Sequence, residues 1–220
     1  ILPLSVMQQA SEAVLNLNDG GLSLLEISHR SKTFVDIMER ARSLSLELLG
    51  LHQDEYTALF LQGGASTQFL MVPYNFLAAD ATAAYVDTGS WSTKAIKEAK
   101  IFGNVNVLAS SKDAGFNHIP KGYDIPADSA YLHLTSNNTI YGTEYHHFPE
   151  TDVPVVVDMS SDIFSRKLDA SQFDLVYAGA QKNMGPAGTT LVIVKRSWLE
   201  KTADRQIPSM MSYQVHEIGR

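Results

Sequence analysis

A lysine stands where an apolar segment gives way to a turn. The segment 175–180 leads through a glutamine to Lys182, and asparagine, glycine and proline residues follow at 183–188. A lysine at the end of a buried strand loses part of its hydration, which disfavours the charged form of its amine. A neutral lysine amine is the nucleophile that forms Schiff bases with carbonyl compounds. The alternative is a solvated lysine in a hairpin loop.

A small-residue turn follows the first predicted strand. Residues 63–66 read Gly-Gly-Ala-Ser and open a predicted helix. Small residues let backbone N–H groups approach an anion, and a helix N-terminus favours negative charge. The turn could therefore hold a phosphate, although ordinary turn chemistry explains the same residues. It is neither a Walker loop nor a GxGxxG fingerprint, which weighs against nucleoside triphosphate and dinucleotide binding.

Asp158 follows the wholly apolar segment 155–157. An acid at such a position is costly to bury unless a cationic or hydrogen-bonding group meets it. A protonated pyridine nitrogen would be such a partner, and pyridoxal chemistry requires that pairing. The alternative is an aspartate that caps the next turn or helix.

Two further segments could orient a flat ligand. Trp91 lies at a strand-to-helix transition, where its ring could stack on a heteroaromatic cofactor or simply pack in the core. Residues 135–139 read Thr-Ser-Asn-Asn-Thr after another predicted strand. Their hydroxyls and amides could orient a ligand, but loop capping explains them equally well.

Two histidine-containing pairs carry weaker signals. His29 and Arg30 form a basic pair in an irregular segment, and an arginine fork is a good receptor for carboxylate or phosphate. A surface ion pair is the alternative for Arg30. His146 and His147 lack the surrounding ligands of a metal site, so we assign no metal.

Hydrophobic periodicity predicts the elements that position these residues. Strand-like segments alternate with helical ones, which is typical of βαβ units in a mainly parallel sheet with helices on both faces. The predicted strands are 56–61, 83–86, 105–108, 130–134, 153–158, 175–180 and 190–194. The predicted helices are 4–17, 33–49, one that follows residues 63–66 and runs to about 77, and one that is opened by residues 87–91 and reaches about 102.

The connection between the last two strands is too short for a parallel crossover. It spans 181–189, whereas a crossover needs about a dozen residues or more. We therefore expect one antiparallel strand beside an otherwise parallel set. Because ligands bind beyond the carboxyl ends of strands in such α/β sheets, we expect the lysine, acid, tryptophan and small-residue turn to meet in one crevice.

Composition narrows the classes of function. The chain has 220 residues, 45% of them hydrophobic, which suits one sizeable α/β domain. It has no cysteine, so disulfides, thiolate metal sites and cysteine nucleophiles are excluded. The net charge of -7 weighs against a nucleic-acid surface. Without a recognisable signal peptide or membrane-spanning run, a cytoplasmic protein with no membrane partner is the expectation.

Several of these motifs together resemble one family. Residues 177–188, Tyr-Ala-Gly-Ala-Gln-Lys-Asn-Met-Gly-Pro-Ala-Gly, are similar to the cofactor-lysine motif of the phosphoserine aminotransferases. These are fold-type-I enzymes that depend on pyridoxal 5'-phosphate. The resemblance covers most of the chain, and its supporting segments occur in the family's order at 28–30, 61–66, 89–91, 137–140 and 158–161.

The resemblance implies a role in cofactor binding for seven residues. Lys182 would bind the cofactor as a Schiff base and move a proton between Cα and C4′, and Asp158 would keep the pyridine nitrogen protonated. Trp91 would stack on the ring and Thr139 would touch it. The residues that would help hold the phosphate are Ala65, Ser66 and Gln181.

The resemblance also implies the substrates and the assembly. Arg30, with His29, would receive the distal anionic group of the substrate. The reaction would transfer an amino group between L-glutamate and 3-phosphohydroxypyruvate, giving 2-oxoglutarate and O-phospho-L-serine in serine biosynthesis. In many bacteria the family also serves pyridoxine biosynthesis with a related phosphorylated 2-oxo acid. A homodimer that shares its active sites between subunits is implied as well.

The chain departs from the family's pattern in two respects. Some members have an arginine at the position of Ser66, so the second anion contact is left open here. Residues 1–220 correspond to the cofactor-binding large domain, and the N-terminal segment and small C-terminal domain of the family are not in this sequence. The C-terminal part of the family carries the arginine for the substrate α-carboxylate and an Asn-Thr pair that reaches the partner subunit's cofactor phosphate.

Two alternatives remain from the sequence. One is a related enzyme of the same fold type that acts on another amino acid, such as an alanine–glyoxylate aminotransferase or a desulfurase-like lyase. The lack of cysteine weighs against the lyase, which needs a thiol to take up sulfur. The other is a non-catalytic phosphate-binding domain or a fragment that only dimerises.

Overall fold

The structure is a computed structural model that describes residues 2–219. Its helices are α1 (Leu4–Leu15), α2 (Lys32–Leu48), α3 (Gly64–Phe76), α4 (Ser90–Ala99), α5 (Arg196–Leu199) and α6 (Tyr213–Ile218). Its strands are β1 (Tyr56–Leu61), β2 (Thr82–Asp87), β3 (Asn104–Ser110), β4 (Leu132–Thr135), β5 (Asn137–Asn138), β6 (Thr143–Glu144), β7 (Val155–Asp158), β8 (Leu175–Gly179) and β9 (Thr190–Lys195). Short 3-10 turns occur at Leu17–Asp19, Lys112–Ala114, Ala170–Gln172, Glu200–Thr202 and Ser209–Met211.

Seven strands form one sheet in the order β1-β9-β8-β7-β4-β2-β3. The neighbouring pairs from β8 to β3 are parallel, whereas β9 is antiparallel to both β8 and β1. The predicted mainly parallel sheet with one antiparallel strand is therefore confirmed. Because β9 alone is reversed, β1 runs in the same direction as β8, and its carboxyl end lies at the same edge as those of the parallel strands.

Helices cover both faces of this sheet, as the sequence predicts. On one face, Leu46 of α2 and Leu49 at its end pack with sheet residues such as Val157 and Ile193. On the other face, α3 and α4 contribute apolar residues such as Phe69 and Ile96. Burial on both faces explains why the central strands are almost continuously apolar.

The two N-terminal helices differ in how they are held. Ser31 caps α2, with its hydroxyl oxygen accepting a hydrogen bond from Phe34 N at 3.3 Å, and α2 packs against β1. In contrast, α1 has no buried residue. None of the helices formed by residues 2–219 is long and apolar enough to cross a membrane.

The differences from the predicted elements lie at the ends of elements and in the short ones. Helix α1 ends at Leu15 rather than at 17, and β7 begins at Val155 rather than at 153. The β5–β6 ladder and the helices α5 and α6 were not predicted. These elements are two to six residues long, which is too short for a clear hydrophobic period.

Candidate active site

Five loops meet at the carboxyl edge of the sheet. They follow β1, β2, β4, β7 and β8, which all end at this edge, and they carry most of the residues singled out in the sequence. The crevice expected between them is therefore built by strand direction.

The loop after β1 is a glycine turn that opens α3. Gly63 has a φ of 92° and Gly64 a φ of 68°, which side-chain-bearing residues rarely adopt. A Cβ on Gly63 would lie 2.1 Å from the hydroxyl oxygen of Thr67, which donates a hydrogen bond to Gly63 O at 2.8 Å. No side chain caps the start of α3. The first N–H groups of this helix, at Gly64, Ala65 and Ser66, are thus available to an anion.

Asp158 ends β7 and is only 5% exposed. Its Oδ1 accepts hydrogen bonds from Ser160 N at 2.9 Å and Ser160 Oγ at 2.6 Å. No residue within 2–219 donates a hydrogen bond to Oδ2. Burial raises the pKa of this carboxyl group, although the Ser160 hydrogen bonds and the charge of Lys182 oppose the rise. The site therefore holds a buried carboxyl group that forms no ion pair within residues 2–219.

Lys182 lies in the turn after β8. The turn is closed by hydrogen bonds from Met184 N and Gly185 N to Ala180 O, at 3.1 and 2.8 Å. Asn183 Nδ2 donates to Ile163 O at 2.7 Å and so ties this turn to the segment after Asp158. The lysine is exposed, so the partial burial expected for it is wrong. The physical reason is that β8 ends at Gly179, and the turn carries Lys182 beyond the sheet.

Trp91 faces the lysine from the second residue of α4. The Nζ atom of Lys182 lies 5.1 Å from the centre of the Trp91 ring, and that of Lys94 lies 4.4 Å from it. The ring nitrogen of Trp91 is buried and has no hydrogen-bond partner within residues 2–219. Trp91 is therefore at the crevice, next to Lys182, rather than fully inside the core.

Gln181 folds back over the end of β8. Its Oε1 and Nε2 atoms would lie 3.0 and 3.3 Å from a Cβ on Gly179. Gly179 N in turn donates a hydrogen bond to Ser160 Oγ at 3.1 Å, and Ser160 holds Asp158. The absence of a side chain at Gly179 thus leaves room for the Gln181 amide close to the Asp158 turn.

The remaining predicted residues are less constrained. Thr139 is exposed at the end of the β5–β6 hairpin, whose Asn138 contacts the loop after β2. His29 and Arg30 are both exposed, and the backbone N–H of Arg30 donates a hydrogen bond to Ser28 Oγ at 3.2 Å. Within residues 2–219 no hydrogen bond, ion pair or ring contact joins this pair to Lys182, Asp158 or Trp91.

The donor set fits pyridoxal phosphate. Oδ2 of Asp158 can pair with a protonated ring nitrogen, and the glycine turn offers N–H groups to a phosphate. Thr135, which pairs with Asp158 across β4 and β7, has a buried hydroxyl without a partner among residues 2–219. Buried polar groups without partners mark places where a ligand can complete the hydrogen bonding. No group of three or more acidic or histidine residues within 2–219 could hold a metal ion.

The model of the class-V aminotransferases matches residues 1–218. This chain belongs to the class-V aminotransferase family. The resemblance seen in its motifs is thereby placed within a family that spans nearly the whole sequence.

Individual relatives of this chain support the narrower resemblance. The phosphoserine aminotransferase of Flavobacterium johnsoniae is 64% identical over 216 residues, which are 98% of this chain and 60% of that protein. The structure of the enzyme from Bacillus circulans subsp. alkalophilus matches with a TM-score of 0.95 at 44% identity, over 100% of this chain and 61% of that one. The predicted resemblance to phosphoserine aminotransferases and the fold-type-I architecture are confirmed.

A cofactor-bound relative is also similar. The crystal structure of pyridoxal-phosphate-bound phosphoserine aminotransferase from Trichomonas vaginalis matches with a TM-score of 0.89 at 31% identity, over 100% of this chain and 62% of that one. The chain thus spans about three fifths of the length of the relatives it matches.

The structure adds residues to the candidate site that sequence reasoning did not single out. Ser160 holds the Asp158 carboxylate, Gly179 accommodates Gln181, and Lys94 lies against Trp91. A serine two residues after an aspartate is typical of an Asx turn, so the sequence carried a signal for Ser160. The contacts of Gly179 and Lys94 depend on packing and left no local signal.

Proposed function

We propose that the protein transfers an amino group between L-glutamate and 3-phosphohydroxypyruvate with pyridoxal 5'-phosphate as cofactor. The observation that carries the proposal is the placement of Asp158. This buried carboxyl group has a free oxygen and lies within electrostatic reach of Lys182, whose amine in turn lies against the Trp91 ring. Similarity to phosphoserine aminotransferases supports the choice of substrates.

Pyridoxal phosphate supplies, when bound, an electron sink for the electrons that remain when the Cα–H bond of an amino acid breaks. The amine of Lys182 would hold the cofactor covalently and, once displaced by the substrate, take up the proton that leaves Cα. Its exposure in the turn gives the amine room for both tasks. The hydrogen bond from Asn183 to Ile163 limits how far that turn can move away from Asp158.

Asp158 would keep the ring nitrogen protonated. Burial disfavours the charge of its carboxylate, as the raised pKa shows, and a cation at Oδ2 would offset that cost. Ser160 directs the carboxylate by holding Oδ1 and leaving Oδ2 to the ligand. The same arrangement would lower the affinity for a ring that carries no proton.

The other cofactor contacts follow from the loops. Trp91 would stack on the ring and Thr139 would contact it from the β5–β6 hairpin. The N–H groups of Ala65 and Ser66 at the start of α3 would bind the phosphate, with Gln181 adding an amide from the opposite loop. An uncharged Ser66 leaves the helix N-terminus as the main source of positive potential here.

Arg30 and His29 would receive the distal anionic group of the substrate. Within one subunit they make no described contact with Lys182, so we propose that a homodimer brings the pair to a shared site. The part of the relatives that extends beyond the length of this chain would add the receptor for the α-carboxylate. We further propose a cytoplasmic role in serine biosynthesis, with pyridoxine biosynthesis as a second role.

Borohydride reduction tests the cofactor and its attachment together. Incubation with pyridoxal phosphate followed by reduction should add one phosphopyridoxyl group to the peptide that contains Lys182, as measured by mass spectrometry. The Lys182→Ala variant should lose the adduct. Lys94→Ala is the matched control, because Lys94 also lies against Trp91 but should not be modified. An adduct absent from Lys182 would favour the non-catalytic phosphate-binding alternative.

The substrates are tested by following 2-oxoglutarate. Glutamate and 3-phosphohydroxypyruvate should give product with the full-length protein and none above background with Lys182→Ala. Comparison of kcat/KM for phosphorylated and unphosphorylated 2-oxo acids distinguishes the proposal from other class-V aminotransferases. A preference for an unphosphorylated acid such as glyoxylate would contradict the proposed substrate while leaving the cofactor chemistry intact.

A further inference from the structure

Two loops of the crevice are joined to each other by their side chains. The first, here called the Trp91 turn, comprises residues 88–91 between β2 and α4, and the second is the β5–β6 hairpin, residues 137–144. Asn138 Nδ2 donates to Thr88 Oγ1 at 3.1 Å, and both residues are almost completely buried. The hydroxyl groups of Ser90 and Tyr141 are 2.9 Å apart. The two loops are about 50 residues apart in the chain.

The backbones of the two loops are in close contact as well. A Cβ on Gly89 would lie 2.8 Å from Asn138 Oδ1 and 3.1 Å from the ring of Tyr141. The Tyr141 ring also packs against Phe116, with 4.9 Å between ring centres, so it is supported from a third segment. This close approach leaves the hairpin little freedom to shift relative to the Trp91 turn.

No hydrogen bond within residues 2–219 fixes the orientation of the Trp91 ring. Its ring nitrogen lacks a hydrogen-bond partner among residues 2–219, so its orientation depends on the backbone of the turn and on packing. From the other side, that turn is held by Asp87, whose Oδ1 accepts from Ser92 Oγ at 2.9 Å and Thr93 Oγ1 at 2.8 Å. The Trp91 turn is therefore held from one side by Asp87 and from the other side by the β5–β6 hairpin.

We infer that Asn138 and Tyr141 are positioning residues that fasten the Trp91 turn to the hairpin carrying Thr139. Given the proposed function, on which this inference rests, they hold the Trp91 ring and the Thr139 hydroxyl at a constant separation around the cofactor. Neither residue needs to touch the cofactor for this role. Loss of these contacts should increase the mobility of the Trp91 ring while the rest of the fold stays intact.

Fluorine NMR of tryptophan tests the inference directly. The protein has only Trp91 and Trp198 as tryptophans, so fluorinated tryptophan gives two resonances, which Trp91→Phe assigns. Tyr141→Phe removes a hydroxyl group and keeps the ring, and Ser90→Ala removes its partner. Each should broaden or shift the Trp91 resonance and leave the resonance of Trp198, in the core against Phe76, unchanged.

A double variant and a control variant sharpen the test. Because both single changes break the same contact, the Ser90→Ala/Tyr141→Phe variant should match either single variant. Each should also weaken binding of pyridoxal phosphate by about two- to tenfold, the range expected for one hydrogen bond. Tyr56→Phe is the control, because Tyr56 lies away from the crevice. Its hydroxyl group donates a hydrogen bond to Phe173 O at 3.1 Å, and the substitution removes that hydroxyl group. It should leave the Trp91 resonance and the affinity unchanged.

An unchanged Trp91 resonance in Tyr141→Phe, or additive effects in the double variant, would overturn the inference. Asn138→Ala gives an independent second reading through the bond to Thr88. The resonance is recorded first without cofactor, so this result stands even if the unsubstituted protein fails to bind pyridoxal phosphate. Failure to bind would count against the proposed function alone.

Discussion

At the scale of single residues, the two charged groups at the centre of the crevice, Asp158 and Lys182, are incompletely paired within residues 2–219. Among residues 2–219, one oxygen of Asp158 accepts no hydrogen bond, and Lys182 forms no salt bridge and lies against the Trp91 ring. Buried polar groups without partners lower the free energy of unfolding, and they are common where a ligand completes the pairing.

Asp158→Asn should separate stability from function. Burial raises the pKa of Asp158, so the folded state binds a proton on this carboxyl group more tightly than the unfolded state does. The free energy of unfolding therefore falls as the pH rises from the pKa of the unfolded state through the raised pKa of the folded state. At neutral pH the variant removes this cost and keeps an acceptor for Ser160. We expect the melting temperature of the cofactor-free protein to rise by roughly 2–4 °C, the shift given by about 1 kcal/mol in a chain of this size.

The same variant should bind pyridoxal phosphate at least about tenfold more weakly, because an amide does not offset the charge of a protonated ring nitrogen. Calorimetry without cofactor and titration with cofactor measure the two effects. Ser161→Ala, three residues after Asp158 and partly buried, is the control for local disturbance. A fall in both melting temperature and affinity would mean that Asp158 serves the fold rather than the ligand.

At the scale of elements, the start of α3 depends on two glycines that differ in their surroundings. Both have left-handed backbone, but only Gly63 lies against a neighbouring side chain, that of Thr67. Nothing lies within 4 Å of a Cβ on Gly64. Substitution of Gly64 therefore measures the backbone strain alone, whereas substitution of Gly63 measures the same strain together with steric overlap with Thr67.

Gly64→Ala should cost about 1–2 kcal/mol of unfolding free energy, the usual cost of left-handed backbone for a residue with a Cβ. Gly63→Ala should cost clearly more, because its Cβ would displace Thr67 and break the hydrogen bond that closes the turn. Denaturant unfolding of the two variants measures the difference. Equal losses would show that the turn can open around Thr67 at no cost.

At the scale of the whole molecule, buried polar side chains cross the centre of the sheet. His133 in β4 is 1% exposed, stacks on Tyr85 and has its Nε2 2.8 Å from the hydroxyl oxygen of Tyr177. Tyr85 in turn hydrogen-bonds Tyr131 at 2.8 Å. Burial lowers the pKa of His133 to about 3, so the folded protein holds this histidine neutral.

This neutral histidine should make the protein sensitive to acid. The unfolded state takes up a proton on His133 below about pH 6.5, whereas the folded state does so only near 3, so stability is lost as pH falls between these values. His133→Gln keeps a side chain able to hydrogen-bond Tyr177 and removes the titration. Its unfolding free energy should fall less steeply between pH 6 and 4, by up to about 1.4 kcal/mol per pH unit.

Denaturant unfolding at a series of pH values measures this slope, which does not depend on any constant loss that the substitution causes. His118→Gln, at an exposed position, is the matched control and should keep the slope of the unsubstituted protein. Parallel curves for the His133 variant and the unsubstituted protein would contradict the prediction.

Local features of the amino-acid sequence were enough to predict the candidate chemistry and most of the architecture. Apolar runs alternating with helical periods predicted the sheet, and the short 181–189 connection predicted that β9 is reversed, because both are properties of local sequence. Lys182, Asp158 and Trp91 were found because each stands just after a strand or at the start of a helix, and the strand direction then brings them to one edge.

How these residues are held is visible only in the folded protein. The exposure of Lys182 depends on where β8 ends, and the support of Asp158 by Ser160 includes a bond from Gly179 on another strand. The contact of Asn138 with Thr88 joins loops that are distant in the chain. Such contacts depend on strand order and register, which local periodicity does not encode, so they emerge only when the sheet is assembled.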